Sequence, residues 1–546
     1  MDRDELSSES VLETLLKTNR PPTDQETAII QESMAPANAE LKVVEAQISE
    51  TIAHIQELES QVEQAVIKLQ RLHEQEAAIL DSFADHRRVL SAFRNIPEDV
   101  LREICVQACV KGDIPTLSYF GNPLPYVLAQ ICSEMRYIAL TTPIIWTSMH
   151  VEIHPLHFDS LGQHEQVYST LARRASTWFE RAGGLGLTVF IQESIHSYVM
   201  PFIHVHEPHP STILFDTLLS YSTRWKELEF DSRCGYDGMV SAPMIRIVAL
   251  RAVDVPLLQS VTFYLDLMQP DSRLDDSVLL KVPTLKRVKL HTRNGPVFTV
   301  NWAILTSITL DEYSESNSHD YLVEILQQTK GLVFGDIGVG LGRLQEHYPD
   351  NINLPFLKTF FVRERNFGSA TSGARSILDL ITAPILEIFY VRREAFLDFS
   401  GFFKRSPRIR KLSMPYFDKD TLLTDTMAFL GHCPSLTELS LFPGNWMMDA
   451  PDANRFLRAF VEGDTGVICP RLQDFQFEGI YDFSLQTLRL FLEGRQRGIA
   501  ARNVMPWKRL VIDIGGIKDR EARQQASVLL LQKNAAGVII RASNHK

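Results

Sequence analysis

From Thr223 onward one eight-residue pattern recurs, and it limits what the chain can fold into more than any other feature. It has the form Pro-x-Leu-x-x-Leu-x-Leu, with other apolar residues often replacing Leu. Clear copies begin at Pro256, Pro283, Pro355, Pro384, Pro407, Pro434 and Pro470, and looser ones at Thr223, Ala303, Lys330 and Met505. The copy at Pro434 reads P-S-L-T-E-L-S-L, and the copy at Pro470 reads P-R-L-Q-D-F-Q-F. The last four positions alternate apolar and polar residues, as a strand with one buried face requires. The starts lie 20 to 36 residues apart, with helical signals between them at 376–382, 396–403 and 424–431. A unit this short cannot bury its own apolar face, so successive units must stack on one another.

One strand and one helix per unit of about 27 residues is the leucine-rich-repeat arrangement. The expected fold class is therefore α/β, an irregular leucine-rich-repeat-like solenoid over 223–519 with a parallel sheet on its concave side. The copies lack the asparagine expected three positions after the last strand Leu, and their spacing varies almost twofold, so the curvature should be irregular. A non-repetitive mixed α/β sheet is the competing reading. Residues 147–222 offer strands at Met149–Ile153 and Leu185–Ile191 and a helix around Val167–Ala182, which suits an N-terminal cap. The polar tail 520–546, with a helix around Glu521–Lys533, suits a cap at the other end.

The N-terminal arm is different in kind. Residues 1–36 read as a polar helical segment in which Pro22, Asp24 and Glu26 open a second short helix and Pro36 marks a break. A coiled-coil helix is expected over 37–91. Its seam holds Leu41, Val44, Ile48, Ile52, Ile55, Leu58, Val62, Val66, Leu69, Leu72 and Ile79, at spacings that mix threes and fours. No Gly or Pro interrupts Leu41 to Ser91, which allows one helix on the order of 60–75 Å. So narrow a stripe needs a partner: a second copy, another protein's helix, or the arm folding back on 1–36 or on the globular body.

Between arm and repeats lies a helical block, 92–146. In Ile96-Pro97-Glu98-Asp99 the proline suits a helix's first turn and the acids its positive end. Val100, Leu101, Ile104, Cys105 and Ala108 then share a face. Residues 111–127 hold two Gly and three Pro and read as a loop. A second amphipathic helix places Leu128, Ile131, Cys132 and Met135 in one stripe and ends at Thr141-Thr142-Pro143, just before Trp146. Packing of these faces on the strand-rich part of the chain is one reading of the pattern.

The residues I-P-E-D-V-L-R-E-I, then L-x-x-I-C-x-x-M-R-x-I-A, then P-I-I-W resemble an F-box. The order of arm, short basic stretch, helical block and long C-terminal region is similar to F-box proteins of mushroom-forming fungi. Met135 stands where that family usually has Trp, and the 111–127 loop is long. The resemblance implies docking onto Skp1, the adaptor of a cullin–RING ubiquitin ligase. It assigns that contact to Ile96, Pro97, Val100, Leu101, Ile104, Leu128, Ile131, Cys132 and Met135. The implied function is a substrate-recruiting adaptor of a Skp1–cullin–F-box ubiquitin ligase whose repeats bind the protein substrate. A non-catalytic scaffold dimerising through the coiled coil is the alternative.

Little in the chain points to chemistry of its own. A net charge of -12 weighs against a nucleic-acid or anionic-membrane binder. No segment has the ~18 uninterrupted apolar residues of a membrane span, and the first ten residues lack the features of a signal peptide. Six cysteines without a CxxC pair suit a reducing compartment, hence cytoplasm or nucleus. Cys105 and Cys109 read as small apolar interface residues. His196, His204, His206, Glu207 and His209 lack metal-site spacing and read as loop residues. Gly338, Gly340 and Gly342 fail the phosphate-loop pattern and read as a turn. Asp275-Asp276 gives no acid–base geometry. The chain is expected to be no enzyme and to carry no cofactor or metal.

Overall fold

Every copy of the pattern carries one strand of a single parallel sheet. The computed structural model describes residues 8–18, 20–90, 92–118, 121–153, 161–194, 211–233, 241–266, 274, 277–293, 298–311, 319–340, 351–365, 376–393, 399–416, 422–443, 452–462, 467–479, 482–497, 504–513, 520–535 and 539–543. In ten of the eleven copies the strand begins at the fifth residue, as Pro256 does with Ser260 and Pro434 with Glu438. The Thr223 copy starts two residues sooner, at Trp225, where the register with the preceding strand shifts. The third, sixth and eighth residues face the core, as with Leu436, Leu439 and Leu441 or Leu472, Phe475 and Phe477, all at most 2% exposed. Gly335 is the one apolar-position exception. The Phe360 ring fills its place, and a Cβ there would come within 2.9 Å of that ring.

The fourth residue of each copy fixes the spacing of the stack. The backbone N–H of Gln259 donates to the carbonyl of Lys226 (2.8 Å), Lys286 to Gln259 (2.9 Å) and Thr306 to Lys286 (2.9 Å). The same bond recurs unit by unit to Lys508, which donates to Gln473 at 2.9 Å. Insertions between strands therefore change the loops and leave the register untouched.

The strands are β1 (Thr116–Leu117), β2 (Ser148–Ile153), β3 (Leu187–Ser194), β4 (Trp225–Arg233), β5 (Ser260–Asp266) and β6 (Arg287–Arg293). There follow β7 (Ser307–Asp311), β8 (Phe334–Gly340), β9 (Ile352–Asn353), β10 (Thr359–Arg365), β11 (Ile381–Thr382) and β12 (Ile388–Arg393). The last are β13 (Lys411–Tyr416), β14 (Glu438–Pro443), β15 (Asp474–Phe477), β16 (Arg509–Asp513) and β17 (Ile539–Ser543). Fifteen of them pair in chain order into one open parallel sheet, from β1 at one edge to β17 at the other; β9 and β11 form a small second sheet. The fold is thus mixed α/β and comprises a long N-terminal helix and a large parallel sheet.

Several expected boundaries move. β1 pairs with β2, so the sheet begins inside the helical block and not at 147. The tail forms the expected helix, Arg520–Ala535, and also contributes β17, which pairs with β16. Residues 376–382 form a 3-10 turn, Ile377–Leu380, and then β11, because Ser376 and Asp379 close a capping box over a single turn. Helices do follow at Ser400–Arg405 and Leu422–Leu430. Gly338 and Gly340 lie in β8 and not in a turn.

The chain divides into two compact units, Met1–Pro97 and Glu98–Lys546. In the first, α1 (Ser8–Thr18) is followed by α2 (Asp24–Ser82) and the short α3 (Ala84–Val89). Thr23 and not Pro22 opens α2, in a reciprocal capping box with Glu26. Hydrogen bonds from Arg20 and Thr23 hold the Glu26 carboxyl down to about 2. Pro36 does not break the arm as expected. It sits inside α2, where flanking Ala35, Ala37 and Ala39 favour helix strongly enough to carry one missing N–H. The helix stops at Ser82, short of the expected 91. Every residue of α2 from 31 to 82 is exposed, seam included, with Leu41 at 55%, Ile55 at 49% and Leu72 at 52%.

One buried cation holds the C-terminal repeats. Arg495, 1% exposed, donates from Nε to Phe460 O (3.1 Å), from Nη2 to Ile468 O (3.2 Å) and Cys469 O (2.6 Å), and from Nη1 to Leu472 O. Its guanidinium also lies 4.4 Å from the centre of the Trp507 ring. Burial pulls its pKa down to about 10, which leaves it charged near neutral pH. Cys469 adopts a left-handed φ of 49°, and Arg495 holds the carbonyl of that strained turn. Arg495→Met should lower unfolding stability by about 3 kcal/mol or more, since several buried carbonyls lose their donor. A chemical-denaturation midpoint unchanged from the parent would refute this.

Candidate protein-docking surface on the helical block

Three helices and a 3-10 turn make up the block within the second unit. The first is α4 (Glu98–Val110), which opens with Glu98 and Asp99 at its positive end. The expected 111–127 loop is shorter than predicted, since β1 interrupts it and α5 (Leu124–Ile131) starts inside it. The single helix expected over 128–140 is also divided, into α5 and α6 (Ser133–Thr141). Cys132 takes an extended conformation between them and caps α6 by accepting the Met135 N–H at 3.4 Å. Arg136 Nε donates back to the Ala129 carbonyl (3.0 Å), satisfying a free end of α5. The turn Pro143–Trp146 closes the block.

The inner face is full. Leu101, Cys105 and Cys109 of α4 pack inward with Leu128, Met135, Ile138 and Ala139. Trp146, wholly buried, donates its Nε1–H to Ala139 O at 2.7 Å. Its ring meets Tyr126 and Trp178 edge-on at 5.2 and 4.8 Å, and Arg181 lies 4.6 Å from its centre. Trp178 and Arg181 belong to α7 (Leu161–Arg181), so this cluster joins the block to the segment that precedes the repeats. Arg102 ties α4 to the end of α6 through Thr142 Oγ1 (2.6 Å) and Thr141 O (3.2 Å). The sequence reading singled out none of Arg102, Tyr126 or Arg181, because single polar and aromatic residues carry no periodic signal.

Burial pushes the Cys109 thiol up to about 11 and raises Cys105 as well. Cys109 stays protonated where an unfolded thiol begins to ionise, so its contribution is complete below about pH 9 and is lost as pH rises through about 11. With an alkylating reagent at pH 8, half-buried Cys132 should react first among the three cysteines of the block. Peptide mapping that finds Cys105 or Cys109 modified as fast as Cys132 would contradict this placement.

The outer face is apolar too. Of the nine residues predicted to share one contact surface, the structure brings only some to the outside. Val100 (45%), Ile104 (48%) and Ile131 (56%) are exposed, whereas Leu101 (0%), Leu128 (8%) and Met135 (2%) are core. Cys132 is half-buried; in the first unit Ile96 is half-buried and Pro97 exposed. The physical reason lies in helix geometry: Leu101, Cys105 and Cys109 form one i, i+4 row and Val100, Ile104 and Ala108 the adjacent one, and only one row can face the core. Exposed Leu124 and Val127 join Ile131 in an i, i+3, i+7 row on α5, and Tyr137, Leu140 and Ile144 are exposed beyond it. Leu124 and Val127 fall in the stretch whose glycines and prolines read as loop, so their spacing to Ile131 carries no helical signal in the sequence alone.

A second feature lies on the polar side of the sheet. A groove of about 220 Å³ crosses β12 to β16, lined by Tyr390, Lys411, Ser413, Glu438, Ser440, Asp474, Gln476 and Arg509. Lys411 pairs with Glu438 at 2.7 Å. Burial, and then the facing Glu438, raises the Asp474 carboxyl.

The histidine cluster at 196–209 and Asp275-Asp276 lie outside the described residues. Among the described residues no group of His, Cys, Asp and Glu is placed to hold a metal, and no helix is long and apolar enough to cross a membrane. No protein-family model matches the chain, and neither does any curated protein.

Because Ile104 and Ile131 face outward, Ile104→Asp and Ile131→Asp should each change stability by less than about 0.5 kcal/mol. Leu101→Asp should cost about 4 kcal/mol or more by burying a carboxylate. Thermal melts that rank these variants the other way would overturn the assignment of faces.

Proposed function

We propose that this chain is a non-catalytic adaptor: an F-box-like helical block that docks a Skp1-type adaptor of a cullin ubiquitin ligase, carrying a leucine-rich-repeat-like solenoid that receives a protein substrate. One observation carries the reading. The block keeps a full core on one side and still presents apolar rows Val100–Ile104 and Leu124–Val127–Ile131 on the other. Its own folding does not use those rows, and exposed apolar side chains in such rows suit a protein interface. Met135, where the resembled family has Trp, lies in the core, so the difference falls on packing and not on the contact surface. The strictly sequential parallel sheet supports the solenoid, and the polar groove across β12 to β16 is the place this reading gives to substrate.

The test is capture of purified Skp1-type adaptor by the full-length chain. Ile104→Asp and Ile131→Asp, with melting temperatures unchanged, should weaken binding at least about tenfold each, since a charge replaces a buried anchor. Binding that survives both substitutions overturns the docking surface.

A further inference from the structure

The exposed seam of α2 specifies its own covering. Counted from Met34, it keeps a strict seven-residue repeat to Ile79. First positions hold Met34, Leu41, Ile48, Ile55, Val62, Leu69 and then Glu76; fourth positions hold Ala37, Val44, Thr51, Leu58, Ala65, Leu72 and Ile79. A heptad sustained this long requires a helix wound left-handedly against it. Within the arm, α1 packs on α2 and buries Val11, and Ile29 and Ile30 are half-buried, while every residue of α2 from 31 to 82 is exposed. The free seam therefore runs from Met34 to Ile79.

The layer residues distinguish the possible pairings. With two copies parallel and in register, each layer meets itself. Ala37, Thr51 and Ala65 would leave three thin layers, and Glu76 would bury a carboxylate against its own copy. Glu40 would also flank the partner's Glu45, a like-charge contact made twice. Reversing one copy about a point between Gln56 and Glu57 removes most of these faults. Ala65 then meets the partner's Ile48, Thr51 meets the partner's Val62, and Glu76 lies over the partner's Ala37 with room to reach solvent. Leu41 meets the partner's Leu72, and Met34 meets the partner's Ile79, so both free seams end together. The flank acids Glu40 and Glu45 come onto the stretch carrying the partner's Lys68 and His73. One like-charge contact remains, Glu59 facing its own copy near the axis.

We propose that two copies of this chain pair through α2 as an antiparallel coiled coil whose two-fold axis passes between Gln56 and Glu57. The chain leaves the rod at opposite ends, with the two Ser82 residues on the order of 75 Å apart at 1.5 Å per residue. The pairing is independent of the adaptor reading and stands or falls separately from it.

The full-length chain should have twice the monomer mass by light scattering. Under mild oxidation, a variant carrying both Leu41→Cys and Leu72→Cys should form a covalent dimer, with peptide mapping showing position 41 joined to position 72. The two positions lie roughly 46 Å apart along one helix, so that link must be intermolecular. Leu41→Cys alone should give no link at 41. A monomer mass for the unmodified chain, a 41-to-41 link in the single variant, or a dimer yielding neither link would each overturn the proposal.

Discussion

From Gln259 to Lys508, the residue before the strand in each copy of the pattern donates its backbone N–H to the matching carbonyl of the copy before it. This relay sets the register of every later strand, because a one-residue slip would turn the core triad out to solvent. It also explains why spacing between units can vary almost twofold without breaking the sheet. Inserted residues lengthen the excursions between strands, while relay and triad keep their eight-residue geometry. Loop closure grows expensive only slowly with length, so such excursions are tolerated.

The helical block depends on the same sheet. β1 joins it by backbone pairing, and the Tyr126–Trp146–Trp178 cluster joins it by ring packing under the Arg181 cation. With one face committed in this way, the rows left outside cannot turn inward to cover themselves. That is the physical basis for reading them as a docking surface. The division runs through neighbouring residues: Val100 is out and Leu101 in, Ile104 out and Cys105 in. The arm poses the opposite case. Its α2 has no buried residue, so its apolar seam takes no part in any core of the described chain.

Only periodic features were legible in the amino-acid order alone. Two-residue alternation, opened by a proline in seven of the copies, placed eleven strands, ten of them beginning at the same position of the pattern. Heptad spacing placed a long arm, and the acids after Pro97 placed the start of α4. Local periodicity is written in local residues, so it survives without knowledge of the partner elements. Tertiary structure decided what depends on neighbours distant in sequence. It chose which of two adjacent rows on α4 became core, placing Leu101 inside and Ile104 outside. It carried the helix through Pro36 and split 124–141 at Cys132. It drew β1 and β17 into the sheet from segments read as loop and polar tail. It also buried Arg495 against four carbonyls from a different stretch of chain. None of these has a repeating signature, because each answers to a hydrogen-bond donor, an open strand edge or a cavity that exists only once the rest of the chain has folded.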